Sequence, residues 1–190
     1  MNNLRQNKLS FINFTKLKDY ELLEILKLRN SEYIRHKMLS SKEISLEEHL
    51  SFCHSLRSDS SRLYLKVLLN NNFIGVIDFQ NIDERSHSYI PGDYFVNDEC
   101  YKNIAYYAIL ASTIICIDKK YYYPKISVKK DNLQALIFNT MKFSNYITGE
   151  NEDCYFLTND SLNPDKVDLS KLREAIISEL TKQFELEFIL

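Results

Sequence analysis

The sequence predicts an α/β layered protein, a mostly antiparallel sheet flanked by helices, and three observations carry that expectation. Short runs rich in β-branched and aromatic residues alternate with segments whose apolar residues recur at helical spacing. Two of the apolar runs, 63–69 and 73–79, flank the asparagines at 70–72, which reads as a hairpin. A third run, 88–96, is interrupted by Pro91-Gly92 and passes through the turn Asn97-Asp98 into an apolar helix over 101–117. Pro cannot donate to a ladder and Gly tolerates unusual dihedrals, so 88–96 is expected to bulge near that pair and to splay from its neighbour. A splayed strand that turns into a helix N-terminus leaves backbone N–H groups aimed at an anionic ligand. An ordinary strand–helix turn with no ligand accounts for the same residues.

Residues 1–10 are polar and read as loose; Phe11-Ile12-Asn13-Phe14 reads as the first strand. Asp19 can cap a helix with Leu22, Leu23, Ile25 and Leu26 on one face, ending at Arg29-Asn30. After a linking segment over 31–43, Ser45-Leu46-Glu47-Glu48 matches a capping box, in which Ser and Glu satisfy each other's backbone N–H. The helix it opens carries Leu46, Leu50, Cys53 and Leu56 at helical spacing. Beyond the hairpin and the long helix, 123–128 reads as a strand and 132–143 as a helix with Leu133, Leu136, Ile137 and Met141 inward. Residues 154–158 follow as a closing strand after a turn at Gly149. A linker over 159–167, containing Pro164, leads to an amphipathic helix over 169–184. The expected organisation is one domain over 1–160 with a C-terminal helical extension over 161–190.

With 190 residues the chain can bury a sizeable core, and its net charge of −2 leaves no electrostatic footprint for nucleic acid. No run reads as a membrane span or secretory leader, so a cytoplasmic protein without a membrane partner is expected. The four cysteines, Cys53, Cys100, Cys116 and Cys154, form no C-x-x-C pair and are read as reduced thiols. His49 and Cys53 lie four apart on one helical face, a spacing that suits a metal. Cys53 also belongs to the apolar stripe and no third ligand accompanies the pair, so no metal is expected. Arg29 at a helix C-terminus is accounted for by the helix dipole alone.

Taken together, certain segments carry more. Arg29-Asn30, Ile44-Ser45-Leu46-Glu47-Glu48-His49-Leu50-x-Phe52, Phe73 to Phe79, and Lys129-Lys130-Asp131-Asn132-x-x-Ala135 occur in that order and spacing. In this the chain resembles the GCN5-related N-acetyltransferase superfamily, and within it the branch that acetylates UDP-amino-sugars for pseudaminic acid and flagellin glycans. The resemblance covers residues 10 to 145 and is most specific around His49. It implies a three-layer fold whose fourth and fifth strands splay around the pantetheine arm of acetyl-CoA. The pyrophosphate would rest on backbone amides at Lys102, Asn103, Ile104 and Ala105, with Asn132 also at the cofactor. The acceptor would be a UDP-linked 4-amino-4,6-dideoxy sugar whose amine attacks the thioester directly. Arg29 and His49 would face the nucleotide, and Met38, Phe52 and Tyr94 would supply apolar and aromatic walls.

The chain departs from that family's pattern twice. Residues 101–105 contain no glycine where the phosphate loop has them, and Asn139 stands where the family has a tyrosine that protonates the departing thiolate. An amide donates a hydrogen bond but does not deliver a proton near neutral pH. A catalytically impaired relative, kept for nucleotide-sugar binding or for assembly through the 169–184 helix, is therefore the alternative to an enzyme. Self-association stays open.

Overall fold

The computed structural model describes residues 6–190, and of Lys102 only its place in a helix. Along the chain come β1 (Asn7–Asn13), α1 (Asp19–Asn30), the single turn α2 (Glu32–Arg35), α3 (Leu46–Ser55), β2 (Leu63–Leu69), β3 (Asn72–Asp83) and β4 (Ser88–Phe95). Then follow α4 (Lys102–Lys119), β5 (Tyr123–Pro124), β6 (Ile126–Lys129), α5 (Leu133–Lys142), β7 (Tyr146–Glu150), β8 (Cys154–Thr158), α6 (Leu169–Leu180) and β9 (Phe184–Ile189). Six strands form one sheet in the order β5-β4-β3-β2-β1-β9, and β6-β8-β7 form a second. The large sheet is antiparallel except for β1 with β9 and β4 with β5.

Alternation along the strands sorts the core into two layers, one on each face of the sheet. Ile77 and Phe79 of β3 meet Ala108, Ala111, Ile114 and Ile115 of α4, where the alanines let the helix lie close. Val76 faces the other way, into Phe14, Leu17, Leu22, Ile25, Cys53 and Leu56, the layer of α1 and α3. The hairpin turn has positive φ at Asn70 (51°) and Asn71 (67°), a conformation that asparagine tolerates best after glycine. The capping box forms as expected: Glu48 N–H donates to Ser45 Oγ at 3.2 Å and Ser45 N–H to the Glu48 carboxylate at 2.9 Å.

β4 splays from β5 as expected, but not through a bulge at Pro91-Gly92. Pro91 and Gly92 pair in register with Phe79 and Asp78, and the irregularity lies on β3 between Gln80 and Asp83, where Asn81 has φ 47°. The splay has a different cause. β4 and β5 share only Ser88↔Tyr123 and Tyr89↔Pro124, and Lys125 N–H donates to Tyr89 O at 2.7 Å. The next donor on that edge of β4 would be residue 91, a proline with no N–H, so the ladder stops there. β6 then leaves for the second sheet.

Four further expectations are corrected. The first strand starts at Asn7 rather than Phe11, because β9 pairs with it from Asn7↔Phe184 to Ile12↔Ile189. The last helix ends at Leu180, and 161–190 is a helix plus this strand rather than helical throughout. Gly149 lies within strand β7 and not in a turn. On α5, Leu133, Ile137 and Met141 are exposed (61, 61 and 76 %), because the helix turns Ala135, Leu136, Phe138 and Asn139 inward instead. The helical stretch Glu99–Lys119 is also long and apolar enough, by length and composition, to cross a membrane. In this fold its Ala108, Ala111, Ile114, Ile115 and Cys116 lie in the core against the sheet.

Leu180 and Phe184 are 0 and 2 % exposed in the same cluster as Leu9 and Phe11. Leu180→Ala or Phe184→Ala is therefore expected to lower unfolding stability by about 2–5 kcal/mol, as for any core truncation. Chemical denaturation measures this, and a loss under about 1 kcal/mol would show that the C-terminal segment is dispensable to the core.

Candidate active site

On the α1/α3 face of the sheet a cluster of polar and aromatic side chains gathers around the middle of β3. Asp78 pairs with Tyr64 of β2 on one side and Gly92 of β4 on the other, so all three share this face. Tyr94, opposite Val76, belongs to the same face two residues along. The Asp78 carboxyl is 4 % exposed, accepts a hydrogen bond from Gln80 Nε2 at 2.7 Å, and is pushed up to about 7 by burial. Burial likewise pushes up the Tyr64 and Tyr94 phenols. Arg29, in the last turn of α1, lies close enough to both phenols to stabilise their anions, and desolvation lowers its own affinity for the proton. Arg35 adds like charge beside it.

The two arginines are only partly engaged. Arg29 Nη2 donates to Ser40 O at 3.3 Å, and an Arg35 Nη1 lies 3.7 Å from Glu43. Arg29 Nη1 and Arg35 Nε are buried without any hydrogen-bond partner among the described residues. Phe52 meets Tyr64 edge-on at 5.0 Å between ring centres, with the Arg62 guanidinium 5.2 Å over its ring. Met38 is half-buried in the turn that follows α2.

His49 lies elsewhere. It is 5 % exposed between α1 and α3, where its Nε2–H donates to Leu22 O at 3.0 Å. Burial holds it neutral, and the Cys53 sulfur packs 3.6 Å from the same nitrogen. Among the described residues no three His, Cys, Asp or Glu side chains come together as a metal site.

The splay faces α4. In β4 the backbone groups of Ile90, Gly92 and Tyr94 bond toward β3, so those of Asp93 and Phe95 point into the gap that β5 vacates. Asp93 pairs with Ile77 on the α4 face and is exposed, and desolvation by the surrounding protein pushes its carboxyl up to about 6. At the mouth of α4 the Asp98 carboxylate accepts from Cys100 N–H at 2.8 Å. Ile104 packs into the α4-side core, so its branched side chain does not stand between the helix N-terminus and a ligand. Ala105 is half-buried and Asn103 exposed; Lys102 opens the helix and is otherwise outside the described residues.

Asn132 caps α5, its Oδ1 accepting from Ala135 N–H at 3.2 Å. The turn after α2 reaches across to this cap, with Lys37 Nζ donating to Gln134 at 2.9 Å. Asn139 is held on both ends of its amide: Nδ2 donates to Ala135 O and Oδ1 accepts from Asn145 Nδ2, each at 2.9 Å. Asn145, 5 % exposed, in turn accepts from Asn159. Position 139 is thus one node of a three-asparagine network tying α5 to the strands that follow. The structure brings Arg29, Phe52 and Tyr94 together and sets His49 below them. Asp78, Tyr64 and Arg35 are added by the structure; a lone Asp inside the apolar run Gly75 to Phe79 was the one sequence signal for any of them.

A sheet parted between β4 and β5, with a helix N-terminus below the parting, is the GCN5-related N-acetyltransferase fold, and this chain has it. No family profile matches the chain. It is 33 % identical over 150 residues to acetyltransferase PseH of Campylobacter jejuni serotype O:2, covering 76 % of this chain and 89 % of that protein. The crystal structure of C. jejuni PseH in complex with acetyl coenzyme A superposes with a TM-score of 0.63 at 30 % identity, over 80 % of this chain and 99 % of the other. Spermidine N-acetyltransferase from Vibrio cholerae shares the fold alone, with a TM-score of 0.66 at 14 % identity over 83 % of this chain and 97 % of the other. The chain belongs to the PseH family of acetyltransferases.

Two substitutions separate scaffold from site. His49→Ala leaves Leu22 O buried without its donor and is expected to lower stability by about 1–3 kcal/mol. Asn139→Tyr strands the Asn145 amide and should lower the melting temperature without speeding acetyl transfer. Thermal denaturation and thiol release check both; unchanged melting in either variant would place that side chain at a ligand instead.

Proposed function

We propose that this N-acetyltransferase uses acetyl-CoA to acetylate the amine of a UDP-linked 4-amino-4,6-dideoxy sugar, as in the making of pseudaminic acid. The observation that supports the acceptor is the arginine pair. Two adjacent guanidinium groups, each with a buried nitrogen that no described residue satisfies, suit a dianionic group better than any neutral one. Phe52, Tyr64 and Tyr94 offer aromatic surface beside them for a base or sugar ring.

The donor side rests on geometry of its own. The α4 N-terminus suits a pyrophosphate, and the gap along β4 offers backbone groups at Asp93 and Phe95 to an extended amide-containing arm. Acetyl-CoA supplies the activated acyl group as a thioester. The chain's residues then orient the amine from the α1/α3 face toward the gap, so that proximity does much of the work. A tyrosine acid is not needed for sulfur to leave, since a thiolate is a modest base that can take its proton from the attacking nitrogen. A binding-only relative is the second reading, and the structural engagement of Asn139 is the observation that favours it.

Thermal shift with each ligand separately, followed by thiol release with both, tests the proposal. A ligand at 100 times its dissociation constant stabilises by about 2.7 kcal/mol. Acetyl-CoA and the UDP-amino-sugar should each raise the melting temperature, and together release CoA thiol. Arg29→Ala and Arg35→Ala should abolish the UDP-sugar response and leave the acetyl-CoA response intact. Response to the sugar nucleotide without turnover would favour the binding-only relative, and no response to it would overturn the acceptor.

A further inference from the structure

Asp78 stands out among the buried polar groups because no described residue neutralises it. Lys66, equally buried on β2, meets Glu21 at 3.6 Å and Glu24 at 2.8 Å. Among the described residues Asp78 accepts only from the neutral amide of Gln80. An acid held in the middle of a sheet with so little support is destabilising, and such groups concentrate where chemistry uses them.

Its position is equally specific. A Cβ built on Gly92 would lie 2.6 and 2.7 Å from the two carboxylate oxygens of Asp78. The carboxylate therefore occupies the space that any other residue at 92 would fill, leaning across β4 toward the gap. The backbone at Gly92 is not in the left-handed region, so glycine is not required there by conformation. The groups around Asp78 on its own face are Tyr64 from β2, Gln80 on β3 and Tyr94 from β4, with Arg29 of α1 and the Cys53 thiol of α3 beyond the phenols; the Asp93 charge acts on it from the other face. Asp93 is the other raised carboxyl nearby, but it lies on the α4 face, on the far side of the sheet from the arginine pair.

We propose that Asp78, reaching over Gly92, takes the proton from the acceptor's ammonium group and so frees the amine for attack. This rests on the acetyl-transfer reading above and adds its missing base. Of the three ammonium protons, one passes to Asp78 and then to water. The nitrogen lone pair forms the bond to the thioester carbonyl carbon, the carbon–sulfur bond breaks with its electrons going to sulfur, and a second nitrogen proton ends on that sulfur. The third remains on the amide. A carboxyl that titrates at about 7 is matched to this task, since it is part ionised at neutral pH yet basic enough to accept a proton.

The test is the pH profile of kcat/KM for Asp78→Asn, Gly92→Ala and Asp93→Asn beside the parent, by thiol release with the UDP-amino-sugar and with a panel of free amino-sugars and polyamines. The parent should lose activity as pH falls through about 7. Asp78→Asn should cost about 10²-fold or more and abolish that limb, while acetyl-CoA still raises its melting temperature. Gly92→Ala should act likewise by displacing the carboxylate, and Asp93→Asn should keep the limb. Stability discriminates further. The folded pKa of Asp78 is raised, so its contribution is greatest below the unfolded value and is lost as pH rises through about 7. Asp78→Asn should therefore melt no lower than the parent at pH 8, whereas a structural carboxylate would melt lower. Parental activity and profile in Asp78→Asn, or loss of the limb in Asp93→Asn alone, overturns the assignment and leaves the acceptor reading intact. Turnover of only a different amine, with the Asp78 effect present, overturns the acceptor and keeps Asp78. No turnover of any amine by the parent overturns both.

Discussion

A rung of hydrogen bonding that β4 cannot make shapes the active side of this molecule. After Lys125 N–H meets Tyr89 O, the next donor on that edge would be residue 91, and it is a proline. With no rung to hold it, the chain after Pro124 leaves the sheet and enters a second one with β8 and β7. The edge of β4 beyond that point keeps its backbone groups at Asp93 and Phe95 turned to the gap, above the start of α4. Open backbone edges inside a protein are normally covered. Here the edge stays open beside the candidate site, and a single imino acid in a strand produces the opening without a bulge at Pro91-Gly92.

The polar residues on the other face divide by how well they are satisfied. Ser45 and Glu48 close each other's caps, His49 is spent on Leu22, and Lys66 on two glutamates. Such groups hold α3 and α1 to the sheet and leave little for a ligand. Half-buried Arg29 and Arg35 and buried Asp78 have far fewer partners among the described residues. Because desolvating a charge without a partner is expensive, this contrast separates the groups spent on the fold from those left with capacity for a ligand. It also gives the face two ends of opposite sign, guanidinium toward α2 and carboxylate toward β4, with Tyr64 and Tyr94 between.

The C-terminal segment closes the sheet on the far side from the site. β9 lies parallel to β1, Phe188 stacks on Phe11 at 5.0 Å, and Arg173 of α6 grips Asp118 of α4 with two bonds of 2.7 and 3.0 Å. α4 is thus held from both sides, by the sheet beneath and α6 beside it. A helix whose first turn lies at a candidate site gains from being fixed along its length.

Much was legible in the sequence because it is written in local chemistry. The hairpin follows from Asn70-Asn71, the α3 start from Ser45 and Glu48, and the splay from Pro91, each a residue whose own backbone or side chain dictates the outcome. The family, too, was carried by short segments in order, and the similarity to PseH agrees with them. What needed the tertiary structure was everything set by partners distant in sequence. β9 reads as the tail of a helix until β1 is there to pair with it, 177 residues away at Asn7↔Phe184. Leu133, Ile137 and Met141 make a good apolar stripe that the fold turns outward. His49 looks like a ligand-facing imidazole until Leu22 O is seen beside it, and Asn139 like a vacant catalytic position until Asn145 fills its hydrogen bonds. Asp78 is one acidic letter in a strand; only the register that sets it opposite Gly92 decides that its carboxylate has room, burial and no counter-charge among the described residues.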